Sequence, residues 1–190
     1  MLKATIGDTT YNVFLGEFDE GKILADFNKD SGKQILICGF NAVGEIDLTN
    51  EVLGDGENIK RLTDFSKKIG GTFFCGIKTN IGDVKHISVV ASSRGKLVDI
   101  ADRSSNPFGD VYGTSKRLKV FASGATKIGL LVDADCLVEK NWQKTAPHAN
   151  LIICINRGNS SITQEEVRLY SATYKIPYLY VDELGIEWKE

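Results

Sequence analysis

Residues 127–139 read KIGLLVDADCLVE, five largely apolar residues from Ile128 to Val132 followed at once by Asp133, Ala134 and Asp135. A continuous apolar run of this length predicts a buried strand, and the acids after it fall at its carboxyl end. In layered α/β proteins, that is where ligands and reacting groups gather. Cys136 stands three residues after Asp133, at the start of a helix-compatible segment, where a helix amino terminus favours the thiolate. A second thiol, Cys38, lies two residues before Phe40 in the run QILICGF and so on the same strand face. Glu139 and Glu45 are the carboxylates that could partner either thiol.

The elements that must position these groups follow from periodicity and turn residues. Residues 2–15 predict one or two strands around Gly7 and Asp8, and Phe18, Ile23, Leu24 and Phe27 give a helical face ending in residues 28–32. The run 34–40 predicts a strand buried on both faces. A glycine-bearing loop is expected over 41–56, a helix over 58–69 stopped by Gly70 and Gly71, and a strand over 72–77. Strands at 85–93 and 96–101 flank the turn at Arg94 and Gly95. A polar loop over 102–113 leads to strands at 117–122 and 127–132, a helix at 137–145, a strand at 150–155 and a loop over 156–162. Thr163 heads a capping box with Glu166 before a helix bearing Val167, Tyr170 and Tyr174, and a strand at 178–181 precedes the tail. This order predicts one α/β domain of packed layers over residues 1–190.

Composition narrows the function. Hydrophobic content of 42%, charged content of 25% and three prolines describe an ordinary globular chain. A formal charge of −2 gives no electrostatic pull toward nucleic acid or anionic membrane. The absence of a membrane-length apolar run and of a leader pattern predicts a cytoplasmic protein. Cys38, Cys75 and Cys154 lie in apolar runs and read as small hydrophobes. His86 and His148 stand far from co-ligands, so no metal and no cofactor is expected. Ser31-Gly32-Lys33 lacks the upstream glycine and the strand-to-helix order of a phosphate loop. Asn159-Ser160-Ser161 fits a glycosylation sequon to which the missing leader gives no weight.

Gly129, Leu130, Leu131, Val132 and Asp135 resemble the nucleophile strand of the nitrilase (carbon-nitrogen hydrolase) superfamily, whose cysteine position is here Asp133. The segments VKHISVVASSRGKLVDIADR, HANLIICIN and EEVRLYSATYKIPYLYVDELG resemble the family's lysine-bearing hairpin, the strand after the nucleophile helix and the late helix with its strand. The resemblance implies an α-β-β-α sandwich lacking the family's last strands, and homodimer pairing through residues 137–145, with Trp142, and 163–174, with Tyr170 and Tyr174. It also implies a triad of glutamate, lysine and cysteine. The corresponding positions hold Phe40, Arg103 and Asp133.

A phenyl ring has no acid-base capacity, an arginine cannot exchange a proton near neutral pH and a carboxylate is a poor nucleophile toward amides. The expected consequence is a catalytically silent binding or assembly module, with a buried Arg103–Asp133 ion pair capped by Phe40. Asp135 is expected to cap the next helix. The alternative is a divergent amidase with its nucleophile moved to Cys136 or Cys38 and Glu45 as carboxylate. In a third reading Arg103 and Asp133 bind a small polar or zwitterionic ligand.

Overall fold

In the computed structural model, which describes residues 1–27, 33–158 and 161–190, apolar alternation sorts the strands into two sheets. The first holds β1 (Leu2–Ile6), β2 (Thr9–Phe14), β3 (Lys33–Cys38), β4 (Glu45–Asp47), β5 (Thr72–Ile81), β6 (Val84–Ser93) and β7 (Lys96–Asp102). Their spatial order is β1-β2-β3-β5-β6-β7, with β4 also against β5. The second holds β8 (Val120–Ser123), β9 (Thr126–Val132), β10 (Leu151–Ile155), β11 (Tyr178–Val181) and β12 (Ile186–Lys189), in the order β12-β11-β10-β9-β8. Parallel pairs fill the middle of each sheet, and antiparallel hairpins close both edges.

Period-two alternation assigns each strand residue to a layer. Ile35 and Ile37 of β3 meet Leu130, Val132, Ile153 and Ile155 of β9 and β10 in the core between the sheets. Leu36 and Cys38 point the other way, beneath α1 (Glu20–Asp26) and α3 (Asn58–Ile69), with Phe18, Phe65 and Phe73. On the far side, Leu131, Ile152 and Cys154 pack under α4 (Glu139–Thr145) and α5 (Ser161–Tyr174) with Trp142 and Val167. The expected α-β-β-α sandwich is therefore the observed architecture. Gly129 lets α4 come close, because a Cβ there would stand 2.4 Å from Thr145 Cγ2 and 2.7 Å from Ile152 Cδ1.

Several expectations need correction. The predicted loop over 41–56 contains β4 and α2 (Leu48–Leu53). Asp47 caps α2 by accepting from the backbone N–H groups of Thr49 and Asn50, and Gly54 ends it at φ +90°. β5 continues to Ile81, beyond the expected end at Ile77, because its antiparallel ladder with β6 runs on to Ile81 opposite Val84, and β4 pairs with Lys78, Thr79 and Asn80 on its other edge. α5 begins at Ser161, so buried Thr163 is an interior helical residue and the capping box does not head the helix. The tail adds β12, antiparallel to β11. Residues 28–32 and 159–160, which include the end of the first helical face, most of Ser31-Gly32-Lys33 and the sequon asparagine, lie outside the described residues. Among the described residues no helix is long and apolar enough to cross a membrane.

Candidate functional site

β9 and β10 are parallel neighbours with Val132 opposite Ile155, so the residues after them emerge side by side. Asp133 follows Val132, Arg157 follows Ile155 by two, and Arg103 follows the end of β7, bringing three polar groups from three strands to one place. Asp133 starts a short 3-10 turn, Asp133–Leu137, and holds φ +53°, a left-handed backbone that Asp tolerates better than most residues.

The side chain of Arg103 is fully buried. Its Nη1 donates to Asp133 Oδ2 at 3.0 Å and to Asp110 Oδ2 at 2.9 Å, and its Nη2 donates to Asp110 Oδ1 at 2.5 Å. Arg157 enters from the other side, with Nε 3.2 Å from both oxygens of Asp133 and Nη2 2.8 Å from Asp110 Oδ2. Two guanidinium groups and two carboxylates thus form one neutral cluster of charge-assisted, partly bidentate hydrogen bonds. The Tyr112 ring faces both cations, 5.9 Å from Arg103 Cζ and 4.7 Å from Arg157 Cζ. Hydrogen bonds from Arg103, helped by the Tyr112 N–H and Arg157, hold the Asp110 carboxyl well below the usual carboxylate range. Burial works against the charge on Arg103, but Asp110 and Asp133 outweigh it and raise its pKa.

A second ion pair lies alongside. Lys119 Nζ donates to Asp135 Oδ2 at 3.0 Å and to Ser104 Oγ at 2.7 Å, with side-chain exposures of 3% for Lys119 and 1% for Asp135. Asp135 also accepts from the backbone N–H groups of Ser104 and Ser105 at 2.7 and 2.8 Å, and from that of Val132 at 3.4 Å. Burial pushes its pKa up against the pull of Lys119 and those N–H groups. Asp135 therefore ties the loop after β7 to the end of β9 and does not cap the following helix, whose start at Val138 has no side-chain cap.

The other candidates are placed elsewhere. Phe40 is buried between the sheets, its Cγ 2.9 Å from where a Cβ on Gly76 would stand; the aromatic ring over the ion cluster is that of Tyr112. Cys38 faces the opposite layer from Phe40 because β3 ends at Cys38 and alternation stops there. Burial pushes the Cys38 thiol well up. Cys136 is buried under α4 and α5, and its thiol donates to Asp133 O at 3.1 Å. Glu45 is exposed and pairs with Lys85 at 3.0 Å. Trp142 is fully buried against Tyr170, so of the two readings left open for it, interface or core, it takes the core.

Asp110, Arg157 and Lys119 are the residues that sequence reasoning missed. Arg157 had a signal, since strands that end in register deliver their following residues together. Asp110 had none, because its loop reads as solvated.

Solved structures identify the architecture. A carbon-nitrogen hydrolase from Helicobacter pylori G27 superposes with a TM-score of 0.74 at 12% identity, covering 93% of this chain and 74% of that one. The fold is that of the nitrilase superfamily. The NitN amidase from Nesterenkonia sp. AN1 gives 0.70 at 13% identity over 95% of this chain and 81% of its own, and a mutant of the Nesterenkonia amidase in complex with butyramide gives 0.70 at 13%, over 95% and 79%. At these identities the nitrilase likeness is one of fold. No protein-family model matches the chain, and no curated protein matches its sequence.

The two carboxylates predict opposite pH effects. Asp110, with a lowered folded pKa, contributes stability above about pH 4, the unfolded value, and loses it as pH falls toward the folded value. Asp135, with a raised one, contributes below about pH 4 and loses that as pH rises through its folded value. Between about pH 5 and 3, urea midpoints of Asp110→Asn should fall less steeply than wild type, and those of Asp135→Asn more steeply. Parallel curves for all three proteins would contradict the assignment.

Proposed function

We infer that this nitrilase-fold chain is a non-catalytic binding or assembly module, in which the position of the family's reactive cysteine has become part of a structural ion cluster. The observation that carries this reading is the engagement of Asp133 by both Arg103 and Arg157. The Nesterenkonia amidase has an active site cysteine, and an acyl transfer of that kind needs an accessible thiolate beside oxyanion donors. Here the end of β9 offers a carboxylate already satisfied by two cations. Arg103 and Asp133 spend most of their hydrogen-bonding capacity on protein partners, which leaves a zwitterion little to bind at this pair. For assembly, pairing with a second copy would use the segments 137–145 and 163–174, where α5 exposes Leu169.

Ammonia release from short aliphatic amides tests the reading. Purified protein is expected to give none above a heat-denatured control. Amide-dependent release that disappears in Cys136→Ala or Cys38→Ala would establish the relocated-nucleophile amidase instead.

A further inference from the structure

The Lys119–Asp135 pair opens onto a cleft of about 330 Å³ between β9, α4 and residues 116–119. Five basic side chains line it, Lys116, Arg117, Lys119, Lys140 and Lys144, against the single carboxylate of Asp135. This local excess of positive charge sits in a chain of formal charge −2. Asp135 cannot neutralise the rim, because it already accepts from Lys119, Asn141 and three backbone N–H groups. Arg117 is held by Asp99 at 2.7 Å. Among the described residues, no carboxylate lies within 4.0 Å of Lys116, Lys140 or Lys144.

The floor of the cleft holds unused donors. An ammonium has three N–H groups, and Lys119 directs two of them, at Ser104 Oγ and Asp135. Ser104 Oγ accepts from Lys119 and Ser105 Oγ accepts from Asn141 Nδ2 at 2.9 Å, so each hydroxyl keeps its own O–H to give. Leu118, Leu130 and Val138 add apolar wall. The volume is at the small end of ligand pockets.

We propose that this cleft binds a small organic phosphate. Its phosphoryl oxygens take the free N–H of Lys119 and the hydroxyls of Ser104 and Ser105, while Lys116, Lys140 and Lys144 neutralise its charge and the apolar wall receives the carbon skeleton. A phosphate monoester carries about −1.5 to −2 charges and three strong acceptors at neutral pH, which suits three rim ammonium groups without carboxylate partners better than a single carboxylate would. The proposal rests on the reading of the chain as a binding module, and amide turnover is measured on the same sample so that the two can fail separately.

Isothermal titration of the full chain with glycerol phosphate, at constant ionic strength, is the test, with inorganic phosphate, sulfate and glycerol as comparisons. Glycerol phosphate is expected to bind with Kd of about 1 mM or tighter and more tightly than sulfate. The double variant K140E/K144E, at two exposed positions, should weaken it at least about tenfold with an unchanged urea midpoint. Ser105→Ala should weaken it less. The proposal is overturned by an absence of binding, by sulfate binding as tightly as glycerol phosphate, or by affinity unchanged in K140E/K144E.

Discussion

Arg103→Met is expected to lower the unfolding free energy by about 3–5 kcal/mol, the range for removing one partner of a buried ion pair. The variant strands two carboxylates with only Arg157 between them, in a place where Arg103 is fully buried and Asp133 is 5% exposed. The measurement is urea unfolding of wild type, Arg103→Met, Asp133→Asn and the double variant R103M/D133N. Removing one charge of each sign leaves the Arg157–Asp110 pair at 2.8 Å and a neutral cluster. The double variant should therefore recover about 1–3 kcal/mol relative to the sum of the singles. Asn is chosen because it tolerates the left-handed backbone of position 133. Strict additivity would mean that packing, not pairing, holds Arg103 in place.

Asp135→Ala should cost a similar amount, about 3–5 kcal/mol, by a different route. It leaves the Lys119 ammonium, 3% exposed, without a counter-charge, and frees the backbone N–H groups of Ser104 and Ser105. Loss of a buried carboxylate orphans donors as well as a cation. Adding Lys119→Met should restore part of the midpoint by removing the stranded charge, whereas hydrogen exchange at Ser104 and Ser105 should stay fast in both variants. If Lys119→Met restores nothing, the cost lies in the orphaned donors of Ser104, Ser105, Val132 and Asn141 and not in the stranded charge.

Long apolar runs made most of the fold legible. β3, β9 and β10 are buried on both faces, and no competing pattern exists for QILIC, IGLLV or LIICI. The helix over 58–69 was equally plain, with its apolar stripe and its stop at Gly70. β4 escaped because a three-residue strand with one buried side chain, Ile46, has no periodicity to read; it is held by pairing with the edge of β5 that β6 leaves open. β12 escaped for the same reason, since Ile186–Lys189 is half-exposed and held by pairing with β11. At the site, Asp133 was conspicuous at the end of an aliphatic run, and Arg103 came from the resemblance of its hairpin to the family's lysine-bearing one, counted from Gly95. Their partners were hidden because ion clusters form between loops distant in sequence, and Asp110 and Lys119 look locally like ordinary solvated charge. Asp135 was misread since a carboxylate ahead of a helix usually caps it, and only the three-dimensional approach of residues 104 and 105 redirects it.

The four cysteines fall into two buried neighbours per helix-covered layer. Cys38 stands beside Cys75 under α1 and α3, and Cys136 stands with Cys154 under α4 and α5. Burial raises the pKa of Cys38 and Cys154 well above that of a free thiol, so these two sulfurs stay protonated while the protein is closed. A thiol reagent can reach a member of either pair only when the layer above it parts, and such partings are governed by local unfolding free energies that differ across a structure. The chain thus carries a native sulfur clock in each half of the sandwich, one ticking with the opening of the first sheet's helices and the other with the second's.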